Sequence, residues 1–385
     1  MGLGVDVVQD KGKVESWIKN SSIKGKAVNV DAKNLTDDSY QMFAVNAGAG
    51  AVSGTVSVGN FDSSVSAQVL DSTLGEENNK IKDLTVSAEN QTKVTPKNWS
   101  ASAGAVALAS GVQVATIGSN AKAAVTGSTV HSSRNVDVTA KDERKADLML
   151  GNTMYGGMSG GLNVGVLTVN HAVADKYSYE SDEGETADAG VDLGTVYKSA
   201  NEAIEGNRMS SDYTFGWTSD APKVEAGRGM DAGQQPGGVY ADVSGSSINA
   251  GDGVKVTADA VTNLTETSVN AALSGANFGG SVGVLDAESN TGIKANGTNI
   301  TAGNDITFAN GTSGKSELNL YMGSATLATN LNGAVGVADS SANNTMTVEN
   351  SVLNTAGGNI SLSSGNAEEL AIHAGAVNAL SLIHI

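Results

Sequence analysis

Residues 309–316, Ala309-Asn-Gly-Thr-Ser-Gly314-Lys315-Ser316, satisfy a relaxed phosphate-loop pattern, and Gly157-Met-Ser159-Gly-Gly161 satisfies that of a nucleophile elbow. A phosphate loop works when its amides converge from the start of a helix, and an elbow needs strand, sharp turn and helix in succession. Neither context follows. Ser316-Glu-Leu-Asn-Leu-Tyr-Met322 alternates like a strand, and so does Leu162-Asn-Val164-Gly-Val166. His131, His171, His373 and His384 are scattered without metal-ligand spacing, and the absence of Cys removes thiol catalysis, disulfides and Cys-based zinc sites. The nonapeptide calcium repeat is absent as well. Asp31, Asp137, Asp252, Asp259 and Asp305 recur near turns. Gathered in one groove they would suit acid–base cleavage of a glycan; spread out, they suit turns and solubility. The residues therefore predict no enzyme, with no catalytic, cofactor-binding or metal-ligating residue and no cofactor; a glycan-cleaving enzyme on a β-helix is the competing reading.

The elements that must position any site are repeats. A small polar triplet ending in an aliphatic residue recurs as Ser21-Ser22-Ile23, Ser72-Thr73-Leu74, Ser128-Thr129-Val130, Ser246-Ser247-Ile248, Thr298-Asn299-Ile300 and Ser351-Val352-Leu353. Its intervals are about 51, 56, 118, 52 and 53 residues. A turn rich in Gly, Asn or Lys follows each copy, then an alternating strand such as Val28-x-Val30-x-Ala32 or Val136-x-Val138-x-Ala140. A second arm of Gly, Ala and Ser with alternating Val comes next, as in 103–114, 160–169, 275–285 and 327–337, and several units close on a short third strand such as Val65-x-Ala67-x-Val69. Small residues let backbones approach closely while valine supplies a buried face. The economical fold is all-β: a repetitive β-solenoid, parallel β-helix-like, with each unit stacked on the last. Period-2 patterning does not report strand direction, so hairpin-built prism or sandwich repeats are the alternative.

Composition agrees with thin layers rather than a thick core. The 385 residues include 48 Gly, 3 Pro and only 4% aromatics. A net charge of −18 argues against nucleic acid and anionic membrane as partners. No apolar run is long enough for a transmembrane helix, so no membrane insertion of this segment is expected. The N-terminus lacks the regions of a signal peptide, and the C-terminus ends in the apolar stretch 376–383 without a polar cap. The expectation is a fragment of a longer protein.

The long interval arises from an extra segment over 176–239, between arrays at 1–175 and 240–385. It carries Tyr177, Tyr179, Tyr197, Tyr213, Phe215 and Trp217, two prolines, and the acidic opening Glu180-Ser-Asp182-Glu183-Gly-Glu185. Leu193, Val196, Tyr197, Ala200 and Ile204 fall at helical spacing, so a helix is expected over 192–206 with Gly206 as its cap. Insertions in repeat proteins emerge on one face, often the binding face. Tyr177, Tyr179, Tyr213, Phe215 and Trp217 are therefore the candidate ligand contacts; the plainer reading is a surface excursion that binds nothing.

The Ser-Thr-Val turn, the Asn-Val-x-Val-x-Ala strand and the Gly-Val-x-Val arm together resemble the filamentous adhesins of Gram-negative bacteria, in particular the leukotoxin-type filamentous adhesin repeats of large secreted surface proteins. The likeness covers nearly the whole chain outside the insertion. It implies a passenger region of a type V, autotransporter-like secretion system, exported by an outer-membrane translocator outside this chain and displayed extracellularly or on the cell surface. The function it implies is a stiff display stalk, taking part in cell adhesion and virulence, with a host-cell receptor, matrix component or glycan as partner. A pure structural spacer is the further alternative.

Overall fold

The computed structural model describes residues 1–170, 176–180, 186–192 and 238–380. Nearly all of them are strand, and none is helical. The array opens with β1 (Gly2–Lys19), β2 (Ser22–Ile23), β3 (Ala27–Ala47), β4 (Gly50–Leu70), β5 (Thr73–Leu74), β6 (Asp83–Thr126), β7 (Thr129–Ser132) and β8 (Val136–Val169). Two strands follow within the interruption, β9 (Lys176–Glu180) and β10 (Thr186–Asp192). The array resumes with β11 (Gly238–Asp242), β12 (Ser247–Ala250), β13 (Val254–Asn296), β14 (Asn299–Ala302), β15 (Ile306–Glu349), β16 (Val352–Thr355) and β17 (Ile360–Leu380).

Pairing between repeats is parallel throughout, which decides the direction that the alternation left open. Nine strands form one sheet along β1-β4-β6-β11-β13-β15-β17, with β3 on β6 and β8 between β6 and β13. The marker residues form a second sheet in the order β16-β14-β12-β7-β5-β2. Each strand pairs with its equivalent one repeat away, so the sequence interval is the ladder register: Thr73 sits beside Ser22 and Thr129, and Ser247 beside Thr129 and Asn299.

The marker owes its residue types to two bonds and a backbone angle. The amides of Ser21, Ser72 and Ser128 donate to the hydroxyls of Ser72, Ser128 and Ser246 in the next copies, at 3.0, 3.1 and 3.2 Å. The hydroxyl then donates back to the carbonyl two residues earlier, as Ser72 does to Leu70 at 2.7 Å. The residue before each marker turns the chain with positive φ: Asn20, Asp71, Gly127, Gly245, Gly297 and Asn350, between 47° and 65°. Asn, Asp and Gly are the residues that tolerate this region.

Each long strand leaves the marker sheet as an outgoing arm and folds back as a returning one. In the second repeat Gly48 and Ala49 break β3 from β4; the equivalent bends lie near Gly104, Gly156 and Gly275. Backbones of successive repeats pack tightly there, since a Cβ on Gly275 would lie 2.5 Å from the Gly157 carbonyl oxygen. Near the marker, Val86, Val138 and Val256 of outgoing arms meet Val125, Ala241 and Ile293 of returning arms, closed by Leu74, Val130, Ile248 and Ile300. Farther out, Val94, Leu148 and Leu264 meet Ile117, Leu167 and Leu285. Beyond them amides clip the layers together: Asn98 Nδ2 donates to Val112 O, Asn152 to Leu162 O and Asn270 to Gly280 O, at 3.2, 3.4 and 3.2 Å. A thin interior of Val, Ala, Asn and Ser has little room for aromatic rings, which explains their scarcity.

Candidate functional site

The interruption leaves the ladder after Val169 and returns at Gly238, so Val239 already stands between Ala121 and Thr291. The neighbouring repeats stay in register around it: Val169 pairs with Ile117 and Ala287. Within it, Tyr177 and Tyr179 lie on β9, which pairs antiparallel with β10, Tyr179 opposite Ala187. Tyr213, Phe215 and Trp217 lie outside the described residues. Of the helix expected over 192–206, Asp192 is the last residue of a strand, and 193–206 lie outside the described residues.

The departure point is built from an ion pair. Arg144 and Asp142, on the outgoing arm of the interrupted repeat, are fully buried and joined by Nη2 to Oδ2 at 2.5 Å. The guanidinium spans three repeats. Its Nε donates to Ser119 Oγ in the preceding repeat at 2.6 Å, and its Nη1 to Thr262 Oγ1 and Ser289 Oγ in the following one, both at 3.4 Å. Ser119 Oγ in turn donates to Asp142 Oδ2 at 2.5 Å. Asn170, at φ 60°, turns the chain out; its Oδ1 accepts the Ser119 amide at 3.1 Å and its Nδ2 donates to Glu288 O at 2.8 Å. Ser119 and Ser289 occupy the returning-arm position that the interrupted repeat gives up to its insertion. Sequence reasoning missed this pair, although a signal existed: Asp142 and Arg144 stand at the apolar parity of Val136, Val138 and Ala140.

The motifs that resembled catalytic sites are placed as ordinary strand. Residues 309–316 run inside β15 and 157–161 inside β8. Of the carboxylates, Asp305 accepts the Asn359 amide at 2.7 Å and Asp252 accepts Asn304 Nδ2 at 3.1 Å, both across repeats. Asp137 lies beside Lys255 in the ladder; burial lifts its carboxyl above the ordinary range, against the pull of that lysine. Burial likewise raises Asp259. Among the described residues no three His, Asp or Glu side chains gather into a metal-holding group.

A different surface stands out at the far end of the arms. Tyr155, Met158, Leu273 and Phe278 are 62, 52, 53 and 49% exposed, although each belongs to a repeat with neighbours on both sides. They rise beside glycines: Leu108 leans over Gly160, Leu162 over Gly280, and the Trp99 ring covers Gly151. An open groove of about 680 Å³ follows this edge, lined by Gly104, Tyr155, Gly156, Leu273, Gly275 and Leu327 among others.

Compared with known protein families, curated proteins and solved structures, the chain matches none.

Proposed function

We propose that the chain is a β-solenoid segment of a filamentous surface or secreted adhesin, a stiff non-catalytic stalk that displays the segment between Asn170 and Gly238 to a host receptor, matrix component or glycan. The observation that carries this reading is the ladder: the repeats keep one-to-one parallel register on both sides of the interruption, which leaves one repeat and rejoins it. A scaffold of this kind tolerates a long insertion because its strands are satisfied by the repeats before and after. The buried Arg144–Asp142 root supports the reading by fixing where the displayed segment departs. Display on a stalk lets weak contacts from many copies add. The resemblance to Gram-negative filamentous adhesins supports export by an outer-membrane translocator and residence outside the cell.

The test is a glycan and matrix-protein binding screen on the chain, beside a variant in which 171–237 is replaced by one serine. Binding by the whole chain that disappears in the variant is the expected result. Equal binding by both would place adhesion on the array instead, and no binding by either would reduce the segment to a spacer.

A further inference from the structure

Every repeat of the array carries its charges near the marker and none at its far end. Asp, Glu, Lys and Arg are absent from 39–61, 98–121, 148–170, 267–285 and 318–338, the stretches that contain the bends between outgoing and returning arms. Because equivalent residues stack in register, these stretches merge into one uncharged edge running across five repeats, on a chain whose net charge is −18. The side chains that project from this edge, Leu108, Tyr155, Met158, Leu162, Leu273 and Phe278, are apolar and exposed, and an open groove lined by Gly104, Gly156 and Gly275 runs beside Tyr155 and Leu273. Exposed apolar relief of this extent marks an association surface.

We infer that the uncharged edge is a lateral docking surface for a second copy of this chain, edge against edge. The charge distribution selects that occupant. Two copies, each with a net negative charge, repel where their charged marker halves approach, and contact through the uncharged edge keeps those halves apart. Knobs such as Leu108 and Phe278 and the groove along Gly104, Gly156 and Gly275 provide relief that can interdigitate with its own image, as a two-fold contact requires. Stalks paired in this way would be thicker than one array and would present two interruptions.

The test is sedimentation velocity on the chain over a range of concentrations, at low and high NaCl. A monomer-to-dimer shift that grows with salt is expected, because screening removes the repulsion and leaves the apolar contact. The triple variant Met158→Lys, Leu273→Lys, Phe278→Lys is expected to stay monomeric, whereas Ser133→Lys at the opposite end is expected to dimerise like the parent. The added lysines put like charges face to face at this edge while lowering the net negative charge of the chain, so loss of dimer in the triple variant reports this contact and not the overall charge. As a readout with minimal disturbance of packing, Met158→Cys is expected to form an intermolecular disulfide on oxidation, in a chain that has no other Cys, and Ser133→Cys is not. A monomer under all conditions overturns the proposal. So does a dimer that survives the triple substitution, which would assign association to the open strand edges. Flotation of a monomeric chain with neutral phosphatidylcholine vesicles, lost in the triple variant, would assign the edge to lipid and overturn it equally.

Discussion

Glu266 is the residue least at home in its surroundings. In the ladder it stands between Leu148 and Leu318, wholly buried, and neither carboxyl oxygen has a hydrogen-bond partner. Desolvation raises its pKa well above the ordinary value. The folded chain therefore holds a proton that the unfolded chain releases once pH passes the ordinary glutamate range. From there up to the raised folded value, stability falls as pH rises, by about 1.4 kcal/mol per pH unit. Glu266→Leu, which completes a leucine column, should stabilise the array at neutral pH by about 1–3 kcal/mol and remove that dependence. Urea titrations at several pH values check this, and a parallel pH dependence in the variant would refute it. Arg144 presents the opposite case, a buried charge whose partners are in place. Arg144→Ala should cost about 3–5 kcal/mol by stranding Asp142, and Asp142→Ala in the same chain should recover part of that loss. Hydrogen exchange of the Ser119 and Asn170 amides would localise the effect to the departure point. Both residues were open to detection in the sequence, since each places a charge at the inward parity of an alternating strand. Their consequences were not, because parity says that a side chain is buried but not what it meets there.

At the scale of the element, the repeat marker was legible and its cause was not. A small polar residue before an aliphatic one reads as a turn, and six copies set the register. The determinant that escaped notice stands one position earlier, where Asn20, Asp71, Gly127, Gly245, Gly297 and Asn350 share positive φ. Three residue types fill that position, so no single letter repeats. Gly245 offers a clean test, because a Cβ there meets nothing nearer than 3.7 Å and only backbone strain is at issue. Gly245→Asn should be nearly neutral, whereas Gly245→Val should cost about 1–2 kcal/mol, measured by thermal or urea unfolding. Equal effects would point to packing rather than backbone conformation. The Asn98, Asn152 and Asn270 clips were hidden for another reason: an asparagine between small residues looks like a turn signal, and its role appears only when the returning arm lies opposite. The aromatic insertion was visible by composition alone, and composition places no side chain.

For the whole molecule, register turns chain length into a discrete quantity. Neighbouring markers across the interruption are 118 residues apart, against 52 for the next pair. Ser119 and Ser289 show what the interrupted repeat lacks, one residue between the columns of Asn170 and Gly238. Replacing 171–237 by a single serine restores the interval of 52 and should leave strand content and thermal transition close to those of the parent, as circular dichroism would report. Deletion without the serine puts the returning arm one residue out of step and should lower the transition, because a one-residue slip sends inward side chains outward. The same ladder has a mechanical corollary. Backbone hydrogen bonds between repeats lie along the stacking direction, so tension along the stack opens a ladder bond by bond, in the manner of a zipper, and the terminal repeats, held on one side only, yield first. Extension should then proceed by release of one repeat at a time. With 52 residues in a typical repeat, each release would pay out about 170–190 Å of chain, and the interrupted repeat, with 118, about 390–420 Å, giving a tether under load a sawtooth with one long step and a built-in shock absorber.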